Sequence, residues 1–460
     1  MKRIPLENYN FKIQADTDIQ NSLNYFMSFI IEKDWIKRRS DIEKMISYEF
    51  SSEVPFSKPL TEGTLLAIKN DVIGWYLYLV DVYINEPHKY EYYQGARIIP
   101  IFKRIGIDIN LFKNIAGIEK RIKELIRKRK SEADALLFEL LVALLWTKNG
   151  YNVSFLEEKK DSKTPDLVAT KGSETWHIEC KRQSKTADYT YRETAKRQRM
   201  LNYIGKELLK KNLLLDVVFH VELENLPDTY LKNILNLEKG KVFSGQKISN
   251  NEVTISFSSV NISDINDHLR LNSVKYPSPM LNKLIGRKSV DHKSFSCAIL
   301  GDFFRVGEGE VNNLYVNKIS HAFGVFWKCD AKEAIFAKAR DIKNQIFSAI
   351  EQFSGEEYDD RSVIHVGMET YDGPEVESQR FEKIQNTAQS IDTNNLNLSW
   401  IFCHFFQSYS VPEEDWVIDE TVRSLTPLRN TYPPIQNLML VIPDDESHED
   451  SKPHWEKPLP

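Results

Sequence analysis

The stretch "TPDLVATKGSETWHIECKRQ" (164–183) decides how this chain is read. Within it, "DLVAT" (166–170) and "TWHIECK" (175–181) have the composition of strands and flank "KGSE" (171–174), a turn with glycine. An antiparallel hairpin across that turn sets Thr170 against Thr175 and therefore Asp166 opposite Glu179. Directly opposed residues share a face, with Cβ atoms about 4.5–5.5 Å apart. Lys181, two residues beyond Glu179, lies on that face too. Trp176, Ile178 and Cys180 fall on the other face and suit a core. Opposed carboxylates repel and weaken a hairpin. A divalent cation between them offsets the repulsion, because hard cations such as Mg²⁺ take oxygen ligands. A lysine alongside positions an attacking water or stabilises charge on a phosphate. The plainer alternative is a wet strand face with a polar stripe of His177, Glu179 and Lys181. The chain has other Pro-Asp pairs (Pro227-Asp228, Pro443-Asp444) and other acid-x-Lys triplets (157–159, 341–343), so the string alone does not decide.

The flanking sequence adds to the hairpin. "EADALLFELLVALLWTKNG" (132–150) predicts a helix apolar nearly all round and closed by Asn149-Gly150. Between Ala135 and Trp146 its charged residue is Glu139. A carboxylate is almost never buried unless paired, which makes Glu139 a candidate for the same site. Glu132 is a rival, although an acid in the first turn is favoured anyway by the helix dipole. "YNVSFL" (151–156) predicts a short strand and "EEKKDSKT" (157–164) a charged loop. Beyond the hairpin a long helix is expected over about 190–211, then a buried strand, "LLLDVVFHVEL" (213–223). Lys181 to Lys211 holds ten basic and three acidic residues, or +7; with a whole-chain charge of −5, the remainder carries −12. At about 100° per residue, Arg192, Lys196, Arg199, Lys206 and Lys210 fall within about 80° of one another, with Tyr203 among them. Leu201, Ile204 and Leu208 lie opposite and should pack on the sheet; Arg197 falls near them and does not fit. Such a stripe suits a phosphate backbone, and also suits an ordinary solvated helix face.

The chain has 460 residues, 41% hydrophobic and 28% charged, which is ordinary soluble globular composition with room for two or three domains. The N-terminus shows no apolar signal region, and no apolar run approaches the roughly 20 residues of a membrane span, so a cytoplasmic protein with no membrane partner is expected. Four cysteines lie far apart without a CxxC pair, which argues against a zinc knuckle or a disulfide scaffold. Residues 1–130 are expected to be mainly helical, with an aromatic-rich patch, "GWYLYLVDVY" (74–83). That region ends in "IEKRIKELIRKRK" (118–130), with seven basic and two acidic residues, either a solvated face or a phosphate contact. Further on, "AFGVFWKC" (322–329), a helix over 335–353 and "SVIHVGM" (362–368) predict a β-α-β unit. "LSWIFCHFF" (398–406) and "IQNLMLVI" (435–442) predict strands, and the acidic, proline-rich tail 444–460 predicts disorder.

The order is helix with Glu139, strand, charged loop, Pro165-Asp166, turn, Glu179-Cys180-Lys181, basic helix, buried strand. Over residues 131–223 it resembles the PD-(D/E)xK nuclease superfamily, which has the restriction-endonuclease-like fold. The resemblance implies an α/β protein whose nuclease core, a mixed central sheet flanked by helices, occupies 131–225. The mainly helical 1–130 precedes it, and an α/β region, 226–443, follows and either continues the nuclease sheet or forms its own unit. It further implies that Asp166 and Glu179 bind Mg²⁺ (or Mn²⁺), with the Cys180 carbonyl as a further ligand. Lys181 would be the catalytic lysine and Glu139 the helix acid supporting the metal site, while Gln183 stands where some members carry an active-site glutamine. The implied activity is metal-dependent hydrolysis of phosphodiester bonds, most often in DNA, by an endonuclease, with restriction or anti-phage defence as a setting. Arg192, Lys196, Arg199, Lys206 and Lys210 are the expected nucleic-acid contacts. A double-strand cut would call for a homodimer or a second nick, and the flanks are candidates for binding partner subunits. The alternative is a protein of this fold that lost turnover and serves as a nucleic-acid-binding or assembly subunit.

Overall fold

The hairpin forms in the expected register. The computed structural model describes the chain except for residues 10–15, 51–59, 62–68, 158–162, 184–186, 238–244, 288–293, 340–341, 354–360, 370–371, 392–397, 427–431, 444–451 and 457–460. In it Leu167–Lys171 pairs antiparallel with Glu174–Gln183, Thr170 opposite Thr175 and Leu167 opposite Ile178. Gly172 turns the chain at φ +61°, a left-handed conformation that glycine adopts without steric cost. Asn152–Phe155 adds a third antiparallel strand on the outer side.

On the inner side the sheet is completed by distant sequence. Arg361–Glu369 lies parallel to Glu174–Gln183, with Ile364 beside Glu179 and Val366 beside Lys181. Helix Pro374–Gln389 leads from it to the parallel strand Leu398–Tyr409, and Val417–Leu425 closes the edge antiparallel. Strands buried on both faces read as nearly unbroken apolar runs, as "WIFCHFF" (400–406) does. Among the described residues this sheet has six strands, and a second sheet of eight is built around Ser294–Val306 and Leu314–Cys329. The protein is therefore α/β, with two mixed sheets flanked by helices. The region after 226 contributes three strands, Arg361–Glu369, Leu398–Tyr409 and Val417–Leu425, to the sheet that carries the hairpin.

Several local expectations differ from the observed arrangement. The strand after the basic helix, Leu213–Phe219, pairs with Leu314–Cys329 in the second sheet rather than following the hairpin into the first. It buries only alternate residues, whereas Arg361–Glu369, which takes the place beside the hairpin, is buried on both faces. The basic helix, Asp188–Lys211, accordingly rests Leu201, Ile204 and Leu208 on the second sheet, against a cluster containing Leu215, Phe323 and Val325. No β-α-β unit spans 322–368, because its two strands belong to different sheets and the intervening helix is split into Lys332–Lys338 and Lys343–Ile350. Residues 435–442 form no strand: the buried Glu420 carboxylate accepts the amides of Leu440, Val441 and Ile442 at 2.8, 2.8 and 3.3 Å, which withdraws them from any ladder. Of the tail expected to be disordered, 444–451 and 457–460 lie outside the described residues. His454 and Trp455 are buried, with Trp455 5.0 Å from the Phe405 ring and the His454 amide 2.9 Å from Thr421 Oγ1.

The N-terminal region is helical as expected, with Thr17–Met27, Glu32–Phe50, Val72–Asn85, Tyr92–Ile107 and Ile118–Arg127, although Lys2–Ile4 adds a strand to the second sheet. These helices share one apolar core with the first sheet and with helix Ala133–Lys148. Among the described residues no helix is long and apolar enough to cross a membrane. Helix Ala133–Lys148 ends at Asn149, and Gly150 takes φ +84° just beyond it. It lies so close to the sheet that a Cβ on Gly367 would stand 2.6 Å from the Phe138 ring. Gly367→Ala is therefore expected to destabilise the fold by about 1–3 kcal/mol in chemical denaturation. A variant as stable as the parent would mean that the Phe138 ring yields and that this contact does not fix the helix.

Candidate active site

Asp166 sits just before the strand Leu167–Lys171, and its Oδ2 accepts the Cys180 amide at 2.8 Å. That bond turns the carboxylate against the stretch of Glu174–Gln183 that outruns its antiparallel partner. The N–H and C=O of one strand residue point to the same side, so the Cys180 carbonyl faces Asp166 as well. Glu179 is 3% exposed, which excludes a wet strand face. Its Oε1 accepts Lys181 Nζ at 2.5 Å, and its Oε2 is buried with no hydrogen-bond partner. Continuing the register of Leu167 opposite Ile178 sets Asp166 opposite Glu179, next to the Cys180 amide that it accepts. Glu139 is buried on its helix and receives both Nε, at 2.7 Å, and Nη2 of Arg121 on one oxygen. Arg121 Nη2 also comes within 3.8 Å of Asp166 Oδ1.

The sequence therefore brings Asp166, Glu179, Lys181, Cys180 and Glu139 together. Arg121, which sequence reasoning missed, joins them from helix Ile118–Arg127. A signal for it exists: Ile118, Ile122 and Leu125 form the buried face of that helix, and Arg121 borders it. Glu132 is not part of the site; it is half-exposed and paired with Arg129 at 2.6 Å. Gln183 is half-buried and its Nε2 has no hydrogen-bond partner.

Burial dominates the electrostatics. It raises Glu179 to about 9, with Asp166 adding to the rise and Lys181 opposing it. It raises Glu139 to about 8, with Asp166 again adding and Arg121 opposing. Asp166 is raised too, by burial, although the Cys180 amide, Arg121 and Lys181 counter it. Burial alone would lower the Lys181 ammonium; Glu179 and Asp166 hold it above its ordinary value, so it stays charged. Two buried carboxylates, Glu139 and Glu179, and the half-buried Asp166 thus face, among the described residues, two cations that contact them, and the balance is met by protons or by a further cation.

The donor set fits a hard divalent cation. Glu179 Oε2 lacks a partner, Asp166 Oδ1 is not used by the Cys180 amide, and the Cys180 carbonyl faces the same side. Glu139, expected among the metal residues, is instead engaged by Arg121. Accordingly, among the described residues no group of three or more His, Cys, Asp or Glu side chains is set to hold a metal ion. The donors number two carboxylates and a backbone oxygen, and Mg²⁺ is commonly held by one or two carboxylates with water completing its shell.

The basic stripe is partly neutralised. Arg192 pairs with Glu224 at 2.5 Å, while Lys196 and Arg199 share Asp228 at 2.7 and 3.1 Å. Lys196 is buried as well. The acids come from the segment after strand Leu213–Phe219, which folds back along the helix. Lys206, Lys210 and Tyr203 remain exposed. Arg197, the residue that did not fit, is half-buried and donates to Thr194 Oγ1 at 2.9 Å.

Compared with known proteins, the chain matches no family model, no curated protein and no solved structure.

A carboxyl whose folded pKa lies above its unfolded one binds a proton that the unfolded chain releases, so stability falls as pH rises between the two values. For Glu179 that window runs from about 4.5 to about 9, and for Glu139 to about 8. In EDTA, Glu179→Gln should therefore be more stable than the parent at pH 8 by about 1–3 kcal/mol, with the difference vanishing near pH 4.5. Mg²⁺ should stabilise the parent at pH 8 and leave the variant nearly unchanged. Denaturant melts at the two pH values measure both effects, and a variant less stable than the parent at pH 8 would contradict this charge balance.

Proposed function

We propose that the chain is a divalent-cation-dependent nuclease that hydrolyses phosphodiester bonds in DNA. The observation that carries the reading is the placement of Asp166 opposite Glu179 across the hairpin, with an unpartnered buried oxygen on Glu179 and Lys181 at its side. The sheet agrees with the resemblance as far as a mixed sheet flanked by helices, although the strand that follows the basic helix lies in the other sheet. Asp166, Glu179 and the Cys180 carbonyl would hold Mg²⁺ or Mn²⁺. When bound, such an ion supplies a Lewis acid and a more acidic water.

The chain's own residues do the rest. Lys181 remains cationic beside Glu179, where its ammonium orients the attacking water and offsets charge gathering on the phosphate. The Cys180 amide fixes the Asp166 carboxylate, so the oxygens are positioned before the substrate arrives. The Arg121–Glu139 bridge ties helix Ile118–Arg127 to the site helix at the mouth of the hairpin. That helix also exposes Arg127, and Lys128 follows it, so phosphates approach from this side, while its Lys120 and Lys123 are already held by Glu157 and Glu119. Lys206 and Lys210 extend the contact, while Arg192, Lys196 and Arg199 contribute less because acids already hold them. DNA rather than RNA, an endonucleolytic cut and a setting in restriction or anti-phage defence rest on the resemblance.

Purified protein incubated with plasmid, linear duplex, single-stranded DNA and RNA tests the reading. Cleavage is expected with Mg²⁺ or Mn²⁺, none in EDTA, and a loss of at least about 100-fold in Asp166→Ala and Lys181→Ala. Every substrate intact, yet DNA bound, would favour the assembly-subunit reading. Reversing Arg127 and Lys128 to glutamate should weaken DNA binding and flatten its salt dependence by about one counterion for each phosphate no longer neutralised. The same reversal of Arg192 and Arg199 should matter less; the opposite ranking would return the interface to the long helix.

A further inference from the structure

We propose that Arg121 is a positioning residue that reserves Glu139 and thereby limits the site to a single divalent cation, held by Asp166 and Glu179. The inference rests on the nuclease reading of this site and deepens it. One guanidinium nitrogen of Arg121 bonds Glu139 Oε2 and stands 3.8 Å from Asp166 Oδ1, so the two carboxyls are neighbours and Glu139 would be an obvious third ligand, or a bridge to a second ion. Arg121 opposes this by holding one Glu139 oxygen with a fixed positive charge. Its Nε and Nη2 both donate to Glu139 Oε2, its Nη1 donates to Glu124 at 3.0 Å, and its guanidinium stacks 5.9 Å from the Phe155 ring centre. A guanidinium fixed at three nitrogens cannot swing aside without breaking a buried ion pair, which costs more than breaking an exposed one.

The same guanidinium stands 3.8 Å from Asp166 Oδ1. Asp166 Oδ2 is spent on the Cys180 amide and Glu179 Oε1 on Lys181. On these two carboxylates the acceptors left over are Asp166 Oδ1 and Glu179 Oε2, a mouth for one ion, whereas the remaining oxygen of Glu139 lies beside the guanidinium that holds its Oε2. A second cation on the Glu139 side would face Arg121 at a few ångströms in a buried setting, where like charges repel strongly. Arginine is the fitting residue because it is always charged and binds a carboxylate in a rigid fork. The N-terminal helical region is on this view part of the site, since it alone supplies this guanidinium.

Mn²⁺ titration of the full chain without nucleic acid, followed by electron paramagnetic resonance and calorimetry, tests the proposal. The parent should bind one Mn²⁺ per chain, and Asp166→Ala should abolish it. Glu139→Gln should still bind one. Arg121→Gln should bind Mn²⁺ at least about fivefold more tightly or take up a second ion, because a competing positive charge has gone and Glu139 is released. Arg121→Lys, which keeps the charge, should retain a single ion. Loss of the ion in Glu139→Gln would show that Glu139 is a ligand and overturn the proposal, whether or not Arg121→Gln folds. Unchanged or weaker binding in a folded Arg121→Gln would overturn it equally, while Asp166-dependent binding in the parent would leave the nuclease reading standing. A parent that binds no Mn²⁺ through Asp166 would overturn both.

Discussion

The gathering of two buried carboxylates and a half-buried third beside, among the described residues, two cations is the constraint on which the rest of this structure depends. Glu139, Asp166 and Glu179 come from a helix, a strand end and a strand interior, and they are gathered where Arg121 and Lys181 are the cations in contact with them. Removing such groups from water is costly, and only pairing or protonation offsets it. A fold that retains this arrangement gives up stability at the spot, a pattern common at sites of chemistry. The surroundings are built to hold it: the Cys180 amide fixes Asp166, and the helix bearing Glu139 is pressed onto the sheet at Gly367.

The support extends behind the site. Trp146, on the same helix as Glu139, donates to His365 Nε2 at 3.0 Å; His365 bonds His404 at 2.9 Å, and His404 meets Glu420 at 3.4 Å. Trp146 occupies His365 Nε2 as donor, so His365 carries its proton on Nδ1 and gives it to His404 Nε2; His404 in turn directs Nδ1–H to the carboxylate. This buried chain joins the site helix, three strands and the 440–442 segment through polar bonds with one consistent direction. It sits one strand over from Cys180, its neighbour in register being His365.

The local half of this arrangement was legible in the sequence. Strand period, a glycine turn and the one acid between Ala135 and Trp146 of an apolar helix bring Asp166, Glu179, Lys181 and Glu139 to one place without knowledge of the remaining fold. What was not legible depends on distant segments. Nothing near the hairpin says that its parallel neighbour comes from Arg361–Glu369, or that the strand at 213 belongs to another sheet. The basic stripe misled for a similar reason, because Glu224 and Asp228 neutralise it only after the chain folds back. Arg121 escaped notice because a charged residue at the border of a buried helix face resembles any solvated one.

The most direct test of this charge balance is a crystal grown without metal, soaked in Mn²⁺ and read by anomalous scattering. The account predicts a peak about 2.0–2.3 Å from carboxylate oxygens of Asp166 and Glu179 and from the Cys180 carbonyl, with Arg121 still on Glu139. No peak there, in a crystal whose hairpin and carboxylates are intact, would contradict it.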